Sequence, residues 1–105
     1  MANKKLKIIF AGTPEFAVPT LNALHKEDYQ VLLVLTQPDR RSGRGMHFKS
    51  SPVKQKAKEL NIPVFQPDNL KDEDVIKKII NINADILIVA AYGLIIPTKI
   101  LDIFV

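Results

Sequence analysis

Four apolar runs punctuate the chain, and none of them alternates with polar residues. "LKIIFAG" ends at Gly12, "YQVLLVLTQ" is apolar from Val31 to Leu35, "IPVFQP" sits between prolines, and "ADILIVAAYG" closes on Gly93. Strands covered on both faces read this way, as in a parallel sheet; a half-solvated strand would alternate. Between the runs the apolar spacing changes to a helical one. In "TPEFAVPTLNALHKED", Thr13 suits a helix cap, Pro14 the first helical position and Glu15 the positive end of the dipole. Pro19 would break an established helix, so either the first turn is irregular or the regular helix begins there. Ala17, Leu21 and Leu24 then share one face. Ser51-Pro52 opens a second helix with the stripe Val53, Ala57 and Leu60, closed by Asn61. "KDEDVIKKIINI" carries its acids at the favourable end and its apolar side at Val75, Ile76, Ile79 and Ile80. "PTKILDIF" begins a further helix.

The resulting order, β-α-β-loop-α-β-α-β-α, predicts an α/β fold. Its sheet is parallel, Rossmann-like and doubly wound, with about four strands and flanking helices. A length of 105 residues fits one small domain, 1–105, or part of a larger one. The longest break lies between Thr36 and Ser51. Two to six residues are usual for such a connection, and a long loop at the carboxyl end of a parallel strand lies where these folds bind ligands.

Charge changes the picture of that loop. From residue 40 to residue 58 there are seven basic residues (Arg40, Arg41, Arg44, Lys49, Lys54, Lys56, Lys58) and no acid. The whole chain is only +4, so the remainder is net negative and the basicity belongs to one segment. Such a segment is either a solvated loop whose charges aid solubility or a contact for a polyanion.

Other chemistries are disfavoured. The first turn, "AGTPEF", has one glycine where a dinucleotide fingerprint needs three; Pro14 removes a donor and Glu15 would repel a pyrophosphate. Asp39 stands near where a ribose-binding acid would lie, but alone it is a weak sign. No Gly-Lys-Ser/Thr sequence occurs, and no acids end the first strand as a phospho-acceptor site requires. Cysteine is absent, which rules out disulfides and cysteine zinc sites and suits a reducing cytoplasm. His25 and His47 have no ligand-like spacing, so no metal site is expected. The apolar start is too short for a signal peptide, and no stretch approaches the roughly 20 apolar residues of a membrane helix.

Taken in order, "IIFAGTPEFAVPTLNAL", "TQPDRRSGRG", "SPVKQKAKELNIPVFQP" and "ADILIVAAYGLIIP" resemble the amino-terminal part of the methionyl-tRNA formyltransferase family, from about Leu6 onward. The related phosphoribosylglycinamide formyltransferases carry a glycine-rich phosphate loop in place of "GTPEF". The resemblance implies a formyl donor, 10-formyltetrahydrofolate, and an acceptor, the amino group of methionine on initiator tRNA. It implies that the basic segment, 37–51, is an insertion reaching the tRNA acceptor stem. Arg40, Arg41, Arg44 and Lys49 are then the tRNA-facing set, with Arg44 between Gly43 and Gly45 foremost. It also implies that Tyr92, Gly93, Leu94, Ile95 and Pro97 lie against the folate pocket. Read without the resemblance, the same residues are an ordinary strand end with Gly93 as its turn.

In this family an Asn-X-His pair and a later Asp perform the acid-base and oxyanion work, and both lie beyond the matched region. No catalytic residue is therefore assigned; His25, His47 and Asp102 do not match those positions. The expectation is a fragment of the enzyme, its domain incomplete and without transfer activity. The alternative is a non-catalytic RNA- or folate-binding or interaction module. A fourth strand whose outer neighbour is missing would offer an apolar edge for self-association.

Overall fold

The computed structural model describes residues 6–27, 29–42 and 47–104. Its sheet has four strands, β1 (Lys7–Gly12), β2 (Gln30–Leu35), a two-residue β5 (Val64–Phe65) and β6 (Ile86–Ala90), in the order β5-β2-β1-β6 with every pairing parallel. β3 (Arg40–Ser42) and β4 (His47–Lys49) form a separate antiparallel pair. Helices α1 (Val18–Lys26), α2 (Pro52–Glu59), α3 (Glu73–Ile82) and α4 (Thr98–Leu101) complete the chain, the last followed by a 3-10 turn, Asp102–Phe104.

The non-alternating runs are explained by helix layers on both faces. Ile9 and Ala11 of β1 and Leu33 and Leu35 of β2 pack with Ile79 of α3 and Ile100 of α4. Their neighbours in sequence, Phe10 and Val34, point the other way, into Ala17, Leu21, Val53 and Ala57 of the α1 and α2 layer. A period of two with both phases apolar is the pattern of a doubly covered sheet. Leu87 and Ile88 of β6 divide between the same two layers.

The ends of α2 and α3 follow local chemistry. Ser51 caps α2 by accepting from the Lys54 N–H at 3.0 Å, and Asn61, just past its end, has φ 58°. Asp72 caps α3, its carboxylate accepting from the Asp74 N–H at 3.2 Å, and Asn83 ends it at φ 57°. Asparagine tolerates that left-handed conformation better than most residues. Both alternatives for the first helix hold in part. An irregular 3-10 turn spans Glu15–Ala17, and the regular helix starts at Val18 with Pro19 in its first turn. The expected cap from Thr13 is not made: Pro14 and Ala17 stand at the two cap positions, without a side-chain hydrogen bond. Its hydroxyl is engaged elsewhere.

Two expectations about burial are corrected. β6 is not fully buried: Ile86 is 39% and Val89 47% exposed. β6 pairs with β1 alone among the described residues, so its outer edge has no neighbouring strand to shelter it. Ile80 of α3 is 48% exposed, because the helix packs through Ile79 with Val75 and Ile76 partly covered.

Candidate functional site

The chain moves outward from β1 to β2 and β5, then returns to place β6 on the other side of β1. The carboxyl ends of β1 and β6 thus flank the point where the winding reverses, the usual ligand crevice of an open parallel sheet. Three short segments meet there: Gly12 and Thr13 at the end of β1, Thr36 to Asp39 after β2, and Ala91 to Gly93 after β6.

Gly12 is required by close approach. A Cβ on it would lie 2.9 Å from the Ala90 carbonyl oxygen, the Ala17 Cβ and the Phe10 ring. The following Thr13 joins all three segments. Its hydroxyl donates to the Tyr92 carbonyl at 2.7 Å and accepts from the Gln37 N–H at 3.3 Å. Its own carbonyl accepts from the Val53 N–H at 3.4 Å, at the start of α2. The Gln37 carboxamide donates to the same Tyr92 carbonyl at 3.0 Å. Tyr92 stands between two left-handed residues, Ala91 at φ 57° and Gly93 at φ 94°. Left-handed backbone is disfavoured for alanine and held only by its surroundings. Here two donors from just beyond β1 and β2 hold the adjoining Tyr92 carbonyl.

The hairpin is anchored beside this junction. Thr36 is fully buried, and its hydroxyl lies 2.7 Å from that of Ser51, closing the base of the excursion between them. Asp39 pairs with Lys54 at 2.9 Å and accepts from the Gln66 carboxamide at 2.8 Å. The hydrogen bond from Lys54, seconded by that from Gln66, holds the Asp39 carboxyl below the ordinary carboxylate value. Gln66 also donates to the Gln37 carbonyl at 3.2 Å. Asp39 is thus a structural anchor in this fold.

A groove of about 450 Å³ opens next to the β6 turn, lined by Asn69, Leu70, Lys71, Gly93, Leu94 and Ile95. Ile95 is 78% exposed. Of the residues expected at a folate pocket, Gly93, Leu94 and Ile95 are on this wall. Tyr92 is instead packed into the core beneath, 1% exposed, and its hydroxyl has no hydrogen-bond partner among the described residues. Burial pushes that phenol up to about 12. Pro97 caps α4 and does not line the groove. The opposite wall, Asn69 to Lys71, escaped sequence reasoning. Asn69 accepts from the Lys71 and Asp72 N–H groups at 2.9 and 3.2 Å, an Asx turn that "PDN" signals, though nothing local marks it as facing Gly93.

Of the expected RNA-facing set, Arg40 begins β3 and Lys49 ends β4, and they are register partners. Arg41 pairs with Phe48 in the same ladder. Lys49 is exposed and borders a recess of about 410 Å³ with Glu15, Gln55, Lys56 and Glu59. Arg44, with Gly43 and Gly45, lies outside the described residues. Among the described residues no group of His, Cys, Asp or Glu could hold a metal ion, and no helix is long and apolar enough to cross a membrane.

Comparison with known proteins gives this geometry a family. The chain is 52% identical to the methionyl-tRNA formyltransferase of Polynucleobacter asymbioticus, over 93% of this chain and 33% of that protein. It is 56% identical to that of Coxiella burnetii, over 94% and 32% respectively, and 58% identical to that of Methylobacillus flagellatus, over 92% and 32%. The chain therefore spans about a third of the length of the curated relatives it matches. Its sequence also matches the family described as "Formyl transferase" from residue 4 to residue 105, and the protein belongs to that family.

Proposed function

We propose that this chain is part of a methionyl-tRNA formyltransferase, which moves a formyl group from 10-formyltetrahydrofolate to the amino group of methionine on initiator tRNA. The observation that carries this reading is 52–58% identity, over more than nine-tenths of the chain, to proteins of that name. The groove beside Gly93 is assigned to the folate. Leu94 and Ile95 give a flat heterocycle an apolar wall, Asn69 and the nearby backbone offer polar partners, and Lys71 offers a cation for a carboxylate. Tyr92 and Pro97 support this wall from beneath and beyond.

The hairpin is assigned to tRNA, through Arg40, Arg41, Arg44 and Lys49. Its register supports this. Arg40 and Lys49 are register partners, so one rung of the ladder carries two basic residue types, a composition suited to a phosphate backbone. The cellular setting assigned is the cytoplasm, in keeping with a chain free of cysteine.

These 105 residues contain no Asn-X-His sequence, the pair to which the family resemblance gives the acid-base work. By themselves they are expected to bind without transferring. Self-association through the outer edge of β6 is also proposed. The opposite edge, β5, is only two residues long, in a stretch bounded by Pro63 and Pro67, and is poorly suited to pairing, whereas β6 has five residues and no proline.

The test is a titration of isotope-labelled chain with a stable reduced folate, 5-formyltetrahydrofolate, followed by amide chemical shifts. Residues 69–71 and 93–95 are expected to move together and saturate. Saturable shifts elsewhere, or none at millimolar folate, overturn the groove assignment. Formyl-methionyl product above a no-protein control, from 10-formyltetrahydrofolate and charged tRNA, overturns the expected inertness.

A further inference from the structure

The hairpin and the groove meet at one side chain. Gln37 is the second residue after β2, and β3 begins three residues beyond it. Its main chain is held on both sides: its N–H donates to the Thr13 hydroxyl, and its carbonyl accepts from Gln66, which also grips Asp39. Its carboxamide reaches past the hairpin base to the Tyr92 carbonyl. It also fills the space a side chain on Gly93 would need, so the two residues are in contact. Gly93 in turn lines the groove.

The β6 turn is shaped from outside its own strand. Its two left-handed residues, Ala91 and Gly93, flank a carbonyl whose two donors, Thr13 and Gln37, come from the ends of β1 and β2. A displacement of the hairpin root that moves Gln37 therefore moves the Tyr92 carbonyl and the Gly93 backbone with it. Lys54 supplies the occasion. It anchors Asp39, two residues from Gln37, and it belongs to the same basic segment that would meet a polyanion. A phosphate drawing on Lys54 competes directly with Asp39.

We propose that Gln37, together with Thr13, is a positioning residue that couples occupancy of the basic hairpin to the shape of the groove at Gly93. The proposal rests on the reading of the hairpin as an RNA contact. Binding of RNA at β3 and β4 shifts the hairpin root, and the shift is delivered through the Gln37 carboxamide to the wall that holds the other ligand. Linkage makes the effect reciprocal: whatever factor RNA applies to the groove ligand, that ligand applies to RNA. A typical factor for such coupling is about fivefold or more.

The test uses the full chain and a short RNA stem with a single-stranded 3′ end, observed by amide chemical shifts. In the unmodified protein the amides of β3 and β4 and the amide of Gly93 are expected to move with one shared midpoint. In Gln37→Ala the hairpin amides still titrate and Gly93 no longer responds. Thr13→Val gives the same uncoupling, and Thr13→Ser, which keeps the hydroxyl, restores the response; this pair covers the case in which Gln37→Ala folds poorly. Hairpin shifts without any response at Gly93 in the unmodified protein overturn the coupling and leave the RNA contact standing. No shift in the hairpin at any RNA concentration overturns the RNA contact, and the coupling falls with it. A Gly93 response that survives both Gln37→Ala and Thr13→Val overturns the assigned route.

Discussion

The Thr13 hydroxyl donates to the Tyr92 carbonyl at 2.7 Å, across 79 positions of sequence. This bond joins the end of β1 to the end of the edge strand β6, at the point where the sheet reverses its winding. It holds a carbonyl between two left-handed residues, next to the groove.

Removing that hydroxyl alone leaves the carbonyl with one donor, Gln37. Thr13→Val is expected to destabilise the chain by about 1 kcal/mol, the usual net worth of such a bond. Thr13→Ser should stay within about 0.5 kcal/mol of the parent, the range of a neutral substitution. Urea unfolding curves with unchanged slope measure both. Equal stability for Val and Ser would show that the hydroxyl does not hold the turn.

Tyr92 gives the opposite sign. Its buried hydroxyl has no partner among the described residues, so the fold bears its desolvation without return. Tyr92→Phe is expected to be neutral or stabilising by about 1 kcal/mol near pH 7. The phenol sits at about 12 when folded, against about 10 when unfolded. A raised folded value means its contribution is intact below pH 10 and lost as the pH rises toward 12. The Phe variant should lack that alkaline loss. Stability of the parent unchanged from pH 9 to 11.5, relative to Tyr92→Phe, would contradict this environment.

Asp39 acts at the acid end. Its carboxyl is held low by Lys54 and then Gln66, so its stabilising effect is present above about 3.9, the ordinary unfolded value, and fades as the pH falls through its folded value. The pair is partly exposed, the side chains being 30% and 15% accessible for Asp39 and Lys54, and a worth of about 0.5 kcal/mol is expected. Asp39→Asn should therefore lower stability at pH 7 and match the parent near pH 2. A gap that persists at pH 2 would mean that the carboxylate charge is not the cause.

The β6 edge makes a prediction about association. Ile86 and Val89 are 39% and 47% exposed on an uncharged strand. Sedimentation over a range of concentrations should show a dimer that weakens in Val89→Lys, since an edge lysine opposes strand pairing. A monomer at every soluble concentration would refute the edge.

Much of this fold is legible in the apolar runs, because helices on both faces of β1 and β2 demand apolar residues at both phases. Caps are legible where the residue acts on its own turn: Ser51 and Asn61 behave as their types suggest, whereas Asp72, expected only as one of several acids at the favourable end, also caps its helix. Thr13 shows the limit. A hydroxyl before a proline-led turn suits a cap, but the same donor serves a carbonyl from a distant strand, and sequence does not rank the two. The exposure of β6 is not legible in its own run, which looks the same whether or not a strand lies outside it; the edge position follows only from the expected strand order. β3 and β4 are three residues each and largely polar, so pairing gave them no signature in advance. The groove was half visible: Gly93, Leu94 and Ile95 follow a strand end, whereas Asn69 to Lys71 reach it only through the fold.

The proposed grip of the basic hairpin on tRNA would act through phosphate contacts. The most direct measurement is the dependence of initiator tRNA binding on salt concentration, compared between the parent chain and the triple variant Arg40→Ala, Arg41→Ala, Arg44→Ala. Weaker binding is expected, with a logarithmic salt slope shallower by about 0.9 for each contact removed, about 2.7 in all. An unchanged slope would show that the hairpin is a solvated surface and would contradict the assignment.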